Sequence, residues 1–542
     1  MAYFFVFLRD LADSTRRVGP TPAPGCPAVS DSLAVTNGRP SHVAEYLSRA
    51  AAARPDHPGL VVGASRMSWS DVDRAADECA AGLRTWGVTA GDRVGLFLGN
   101  RPEFVIGYFG ALRAGAVVVP VDPALTAPEV AQIAEHVGLS LVMVDRNTTG
   151  VAEQAAPDLP RVLAAAGARE KSFDALLAAG IGVDVPRPDG GESLAVVIYT
   201  SGTGGDAKGA MLTHRALIAN VEQVASAQIS VVDPDDVVLG LLPLTHVYGL
   251  AGTLGAVVRA AATIVLVDGV DVVRALPLVP QYGVTNVPGA PALWAAWSAS
   301  SDAVDMLDGL RIAFSGSAAL PPEVQHRVHT LTGWYVHEGY GLTEAAPGVS
   351  STVVSGHAKP GSVGQPFVGI EVRLVDDEGV DIDPAEGDPG EIWIKGDNLF
   401  SGYWPDGAGG PDADGWYATG DVAFADEDGD LHIVDRRKDV VIVSGFNVYP
   451  HEVETVLLQH VGVRDAAAIG VLDDRTGEAV KAFVVLGDPS VTIDELQAHA
   501  AAHLARFKRP KVIEVVDDLP HSLTGKVARG RLHRERGEGG DS

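Results

Sequence analysis

An α/β fold with mostly parallel, helix-covered sheets is what the sequence predicts, and three observations predict it. Short, wholly apolar runs recur along the chain, as at 94–98 and 116–121. Strands apolar on both faces belong to sheets covered on both sides. Amphipathic stretches of helical period lie between these runs, and such βαβ alternation implies parallel pairing. At 542 residues the chain exceeds what one core supports, so several domains are expected.

The elements can be justified in order. Ser70 reads as a helix cap with Asp73 at the reciprocal capping position. Val72, Ala75, Cys79, Leu83 and Trp86 form that helix's apolar face, and Gly87 ends it. The run 94–98 is a strand. Arg101-Pro102-Glu103 opens a second helix with proline in its first turn, and Phe104, Tyr108, Phe109 and Leu112 line its buried side. The run 116–121 completes the unit. Buried strands are expected at 194–198, 237–242, 263–267 and 312–314, with helices at 215–227 and 322–331. Beyond Gly356 the texture turns antiparallel: 369–375 and 390–395 alternate between turns rich in Asp and Gly. Past residue 435 a smaller α+β unit is expected, with helices at 451–460 and 492–504 and strands at 466–471, 481–486 and 512–516. The chain thus divides into a leader (1–40), a large N-terminal domain with a small β subdomain (41–434), and a small C-terminal domain (435–542).

Composition narrows the function. Against 41 basic residues stand 70 acidic ones, a net charge of −29. That field opposes nucleic acid and anionic lipid surfaces. Cys26 and Cys79 are too few for a disulfide framework or a zinc cluster. A reducing, cytoplasmic setting follows, with Cys79 buried on its helix. The aromatic run at 3–8 is too short to span a bilayer and lacks signal-peptide features. A peripheral membrane contact through it, and a homodimer, are left open. Residues 16–40, rich in Pro, Gly and Ser, read as a flexible leader.

The stretch YTSGTGGDAKGAMLTH, residues 199–214, carries the first chemistry. Glycines after a strand let several backbone N–H groups curl onto one anion, and Lys208 adds a positive charge. A Walker A loop would need Gly before the lysine and Ser or Thr after it; Lys208 lies between Ala207 and Gly209. Gly202, Gly204 and Ala207 fit G-x-G-x-x-A. A dinucleotide fold would also need an acidic residue about 20 positions on, at a second strand's end. The stretch 211–223 reads instead as a helix, so it offers no acidic residue at a strand's end.

Further motifs follow in order. They are Leu242-Pro243-Leu244-Thr245-His246-Val247-Tyr248-Gly249, then Ser315-Gly316-Ser317-Ala318-Ala319-Leu320-Pro321, then Gly339-Tyr340-Gly341-Leu342-Thr343-Glu344. After these come Tyr417-Ala418-Thr419-Gly420-Asp421, Asp435-Arg436-Arg437-Lys438-Asp439, Ser444-Gly445-Phe446-Asn447, and Leu519-Pro520-His521-Ser522-Leu523-Thr524-Gly525-Lys526. There is no G-x-S-x-G elbow. His451-Glu452 and His337-Glu338 lack the second histidine of a zincin.

This series resembles the adenylate-forming superfamily: AMP-dependent acyl-CoA synthetases such as fatty-acid–CoA ligases, firefly luciferase, and the adenylation domains of peptide synthetases. The resemblance spans roughly residues 40–533. It implies a phosphate loop made by Thr200, Ser201, Gly202, Thr203, Gly204, Gly205 and Lys208. The usual loop has a second Thr at the place of Gly204 and Pro at that of Ala207. The missing hydroxyl alone forfeits about 1–3 kcal/mol at most, and the missing proline leaves the loop looser before binding. Adenine would meet Gly316, Ser317, Ala318, Gly339, Tyr340 and Gly341, with the Tyr340 ring able to stack on it. Thr343 would donate to the α-phosphate. Glu344 would hold Mg²⁺, with Thr200 as a second oxygen ligand. Asp421 would hold both ribose hydroxyls.

The resemblance also makes Asp435 a hinge and Arg436 a nucleotide contact. Gly445 would line the pantetheine path and His246 the junction of the acyl and pantetheine channels. Lys526 would bridge the acyl carboxylate and the α-phosphate. The implied reaction activates a carboxylic acid with ATP to acyl-AMP, then passes the acyl group to coenzyme A. A medium- or long-chain fatty acid is the expected acid, because Gly249, Gly289, Ala290 and Ala292 would leave room for a chain. Trp294 and Trp297 would line that room or pack in the core. The alternatives are an acyl-AMP ligase loading a carrier protein and a non-catalytic nucleotide or lipid binder.

Overall fold

In the computed structural model the described residues are 38–164, 171–200, 208–269, 272–376, 378–383, 387–436, 439–443, 446–473, 477–521, 527 and 529–532. The expectations for the 3–8 run, Cys26, residues 201–205 and 207, Gly445 and Lys526 lie outside them. From Pro40 onward the chain forms one compact unit.

Two large sheets carry the N-terminal part. The first has six strands, in the order Arg161–Leu163, Leu139–Val144, Arg93–Phe97, Val117–Pro120, Leu194–Thr200 and Lys208–Thr213. Its βαβ unit is as expected: Arg93–Phe97 pairs in parallel with Val117–Pro120 across the helix Pro102–Arg113. The second has nine strands, parallel through Pro58–Val62, Thr263–Leu266, Val237–Gly240, Asn286–Gly289, Ile312–Ser315 and His337–Gly341. Antiparallel strands close its edges. The helices Trp69–Thr85, Pro102–Arg113 and His214–Ala225 contribute to one core with residues of both sheets. Burying that apolar surface at about 25 cal/mol per Å² is what holds the layers together.

A four-stranded antiparallel sheet follows, Ile370–Val375, Gly390–Gly396, Tyr417–Ala425 and Leu431–Arg436. The smaller C-terminal β domain has its own sheet and apolar cluster. Val463–Asp473 and Gly477–Leu486 form its long hairpin, Val512–Val515 joins in parallel, and the helices are Pro450–Leu458 and Ile493–His503. Among the described residues no helix is long and apolar enough to cross a membrane.

Two local expectations are corrected. The first long helix starts at Trp69, capped by Ser68 with Asp71, whose backbone N–H donates to the Ser68 hydroxyl at 3.1 Å. Both Ser68/Asp71 and Ser70/Asp73 read as Ser-x-x-Asp. Asp73 is instead taken by the buried Arg113, so the earlier pair makes the cap. The second correction concerns the segment after the phosphate loop. It returns as the antiparallel strand Lys208–Thr213 before the helix His214–Ala225 begins, capped by Thr213. Leu194–Thr200 and Lys208–Thr213 are therefore antiparallel neighbours, with Thr200 paired to Lys208. Cys79 is fully buried as expected, and burial pushes its thiol up to about 12.

Candidate functional site

In open parallel sheets ligands bind beyond the carboxyl ends of the strands, and Thr200, His246, Gly316 and Gly341 lie at or just past such ends. Thr200 ends the strand Leu194–Thr200 and pairs directly with Lys208. Thr200 is half-buried and Lys208 exposed, so a positive charge stands opposite a hydroxyl at the mouth of the hairpin.

The outer edge of Lys208–Thr213 is covered by residues 400–404. The Met211 N–H donates to the Gly402 carbonyl (3.1 Å), the Ser401 N–H to the Met211 carbonyl (3.0 Å), and the Trp404 N–H to the Gly209 carbonyl (2.8 Å). The same loop reaches the Thr343-Glu344 turn, where the Phe400 N–H donates to the Glu344 carbonyl at 2.9 Å. The Tyr403 hydroxyl then donates to Glu344 Oε1 at 2.6 Å. Lys208 Nζ lies 5.1 Å from the centre of the Tyr403 ring. Lys208 and Glu344 thus share one neighbour. Thr343 is buried and Glu344 half-buried.

A second link joins Tyr340 and Asp421, with the Tyr340 hydroxyl donating to Asp421 Oδ2 at 2.7 Å. Asp421 is 7% exposed, and its own N–H donates to the Thr419 hydroxyl at 3.1 Å. Gly420 supplies the left-handed turn (φ 76°) that places it. Across the ladder Asp421 pairs with the backbone of Arg436, and Val422 with that of Asp435.

The turn at 315–320 follows the strand Ile312–Ser315. Ser315 is in register with Glu338, so this turn and the Gly339-to-Glu344 run leave one sheet side by side. Gly316 packs on Tyr248: a Cβ there would lie 3.1 Å from the tyrosine ring. Ser317 takes a left-handed conformation (φ 73°), which costs a non-glycine residue energy and marks a constrained turn. Ala318, beside it, is half-buried. Glu338 ties these parts together. Its carboxylate accepts from the Leu320 N–H (3.0 Å) and from Gln325 Nε2 (3.0 Å), and burial pushes its pKa up to about 7.

His246 lies in the loop after Val237–Gly240. Its Nδ1 accepts from the Tyr248 N–H at 3.2 Å, and burial lowers its pKa to about 4, so the ring is neutral at pH 7. Asn100, 6% exposed, clamps the preceding turn. Its amide donates to the Gly240 and Leu242 carbonyls (3.0 and 2.9 Å) and accepts from the Leu244 N–H (2.9 Å). A π-helix, Tyr248–Gly255, follows directly; such helices are frequent at functional sites.

The expectation that small residues leave room for a chain is not met at the two glycines. A Cβ on Gly249 would stand 2.1 Å from the Pro243 carbonyl oxygen, and one on Gly289 3.0 Å from Leu293. Both serve close packing. Trp294 and Trp297 are buried in the core, their indole N–H groups donating to the Phe314 and Val272 carbonyls. Of the two roles open to them, packing is the one observed.

The arrangement fits Mg·ATP. Mg²⁺ prefers one or two carboxylates together with phosphate oxygens, and Glu344 offers a carboxylate near the Lys208 end of the hairpin. Asp421, fixed by Tyr340 and the Thr419 turn, is a preorganised acceptor for a diol. Sequence reasoning missed Tyr403, Asn100 and Glu338. The Gly402-Tyr403-Trp404 aromatic pair was a signal for the first only.

Comparison with known proteins bears on this site. The family described as AMP-binding enzyme matches residues 47–404, and the AMP-binding enzyme C-terminal domain matches residues 452–526. A long-chain-fatty-acid–CoA ligase from Yersinia pestis is 34% identical over 92% of this chain and 95% of its own. The crystal structure of ATP-bound MatB from Rhodopseudomonas palustris is 30% identical, covers 91% of this chain and 99% of its own, and has a TM-score of 0.82. The anthranilate CoA ligase AuaEII, in complex with anthranoyl-AMP, is 28% identical over 91% of this chain and 97% of its own, with a TM-score of 0.82.

Proposed function

The chain belongs to the family of AMP-binding enzymes, and we propose that the acid it activates is a medium- or long-chain fatty acid. It is an acid–thiol ligase that consumes ATP and coenzyme A and proceeds through an acyl adenylate. The acid's identity is supported by the Yersinia pestis relative, which carries that activity in its name and matches nearly the whole chain. The observation that carries the site is the meeting of Lys208, Glu344 and Tyr403, drawn from three distant segments.

A carboxylate is a poor acyl donor because its leaving oxygen is too basic. Attack of the acid's oxygen on the α-phosphorus of ATP expels pyrophosphate and turns that oxygen into part of a good leaving group, AMP. In this reading Lys208 and the loop amides neutralise the departing phosphates, and Thr343 donates to the α-phosphate. Glu344, with Thr200 as second ligand, would hold Mg²⁺, which when bound would spread the negative charge of the phosphates. Tyr340 and Asp421 fix the nucleoside. Lys526 pairs with both the acid and the α-phosphate. In the second half-reaction the thiol of coenzyme A attacks the acyl carbon and AMP leaves, past neutral His246 and Gly445. The two half-reactions require different access, so a rotation at Asp435 exchanges Lys526 for the Gly445 segment, with Arg436 on the nucleotide. We place this chemistry in the cytosol.

The test is pyrophosphate and AMP release with ATP, Mg²⁺ and a panel of fatty, aromatic and short dicarboxylic acids, with and without coenzyme A. CoA-dependent AMP release that is fastest with fatty acids of eight or more carbons is expected. Pyrophosphate release without CoA-dependent AMP release would favour a carrier-protein acceptor. Preference for an aromatic acid would overturn the substrate assignment. No acid-dependent pyrophosphate would leave a binder.

A further inference from the structure

We propose that Tyr403 is a positioning residue that registers the metal carboxylate against the phosphate-loop lysine. Its hydroxyl fixes Glu344, and its ring face fixes Lys208. This rests on the reading of Glu344 and Lys208 as Mg·ATP groups.

The side chain is unusually well anchored for a loop residue. The Tyr403 N–H donates to the Ala408 carbonyl (3.0 Å), and its carbonyl accepts from the Gly407 N–H (2.8 Å), so the loop closes on itself. Gly402 permits that closure with φ 90°; a Cβ there would lie 2.0 Å from the Gly407 oxygen. Outside, Tyr403 forms a β-bridge with Ala210, two residues after Lys208. The Phe400 ring packs edge-on against both Tyr403 and Tyr417, with centroids 5.1 Å apart in each case. Backbone and ring are therefore held from several sides before any ligand arrives.

Two contacts follow from that anchoring. The hydroxyl donates to Glu344 Oε1, which holds that side of the carboxylate in place. The ring lies beneath the Lys208 ammonium at 5.1 Å, within the range of a cation–π attraction. The hydroxyl's role concerns the metal and the ring's role concerns the lysine, so two substitutions separate them. Tyr403→Phe removes the hydroxyl and keeps the ring. Tyr403→Leu removes both.

The experiment titrates Mn²⁺, as a spectroscopic substitute for Mg²⁺, into protein with ATP and no acid, and reads bound Mn²⁺ by electron paramagnetic resonance. ATP binding without metal is measured by calorimetry. For Tyr403→Phe the Mn²⁺ dissociation constant in the ternary complex should rise about tenfold, the loss of one charged hydrogen bond. Its metal-free ATP binding should stay within about twofold of wild type, whereas Tyr403→Leu should lose about two- to fivefold more. Circular dichroism and thermal midpoints of both variants check the fold. A Tyr403→Phe protein that binds Mn²⁺ as wild type does would overturn the inference. So would equal loss of metal-free ATP binding in both variants. A wild type that binds neither nucleotide nor cation removes the functional reading and this inference with it. A wild type that binds both, alongside an unaltered Tyr403→Phe, removes the inference alone.

Discussion

Removing the Tyr340 hydroxyl should blur how this enzyme tells one ribose from another. The phenol donates to Asp421 at 2.7 Å, and the carboxylate is 7% exposed. A hydrogen bond to a charged group is worth about 1.5–3 kcal/mol. Tyr340→Phe keeps the ring, which the proposed reading stacks on adenine, and deletes the hydroxyl that donates to Asp421. Asp421 retains its backbone tie to Thr419, so part of its placement survives. The expected loss in kcat/KM for ATP is about tenfold, or about 1.4 kcal/mol, close to the lower end of that range. The more telling quantity is a ratio. With wild type, ATP should be preferred over 3′-deoxy-ATP by about 10- to 100-fold, the cost of leaving a buried carboxylate short of one donor. In Tyr340→Phe the ratio should fall to a few-fold, because the carboxylate is no longer aimed. In Asp421→Ala it should approach unity. Acid-dependent pyrophosphate release with both nucleotides measures all three. If Asp421→Ala kept the wild-type ratio, the ribose assignment would fail, and Tyr340 would be left as a packing residue.

The remaining expectations concern the lysine, the loop, the acid limb of stability and the Gly249 turn. Lys526→Ala should abolish adenylation yet spare thioester formation from supplied acyl-AMP; equal loss of both, followed separately by pyrophosphate and thioester assays, would remove the two-conformation account. Gly204→Thr with Ala207→Pro should lower the KM for ATP about tenfold if the two departures weaken phosphate binding; an unchanged KM would show them silent. The buried rings of His42 and His214 (centroids 3.8 Å apart, planes tilted by 30°) have pKa values lowered to about 4 and about 3 by burial. The unfolded chain therefore binds more protons below pH 6.5, and each ring costs about 1.4 kcal/mol of stability per unit as pH falls from 6.5 toward its folded value. Glu338, pushed up to about 7, acts in the opposite sense between pH 7 and 4.5, so the readout is the difference between wild type and His42→Phe. The variant's thermal midpoint should fall less steeply from pH 6.5 to 4.5, and parallel curves would refute the assignment. Gly249→Ala should impair every acid alike, because its Cβ would strike the Pro243 carbonyl in the turn that sets His246. A shift in chain-length preference instead would show that Gly249 lines the acyl site.

Strands apolar on both faces and helices with a clear apolar stripe could be read from the sequence because burial alone dictates them. The helix Pro102–Arg113 announces itself through proline at its start and a face that is buried throughout. The Lys208–Thr213 strand could not be read in this way. Gly-Ala-Met-Leu-Thr runs without interruption into a strong helix, and only addition to a sheet edge makes it extended. One flank of that edge is the strand Leu194–Thr200; the other is supplied by residues 400–404. Local propensity is a weak prior against such a gain in backbone hydrogen bonds. The misplaced cap has a similar cause: two Ser-x-x-Asp frames overlap, and Arg113, far along the chain, decides between them by claiming Asp73.

The same distinction separates the site residues that were legible from those that were not. Tyr340, Glu344 and Asp421 stand in contiguous runs that resemble the family's motifs, so a linear reading nominates them for the proposed adenine, metal and ribose roles. Asn100 and Tyr403 stand in none of these runs, and the Tyr403-Trp404 pair alone names no chemistry. Asn100 acts 144 positions away, by clamping the turn that precedes His246. Tyr403 acts by bringing together Lys208 and Glu344, each already visible as a candidate but neither revealing the other in sequence. Adenylation requires charges in fixed mutual geometry more than any single strong group. Residues that set such geometry carry no chemistry of their own to betray them, and they become readable only where two chemically marked segments meet a third.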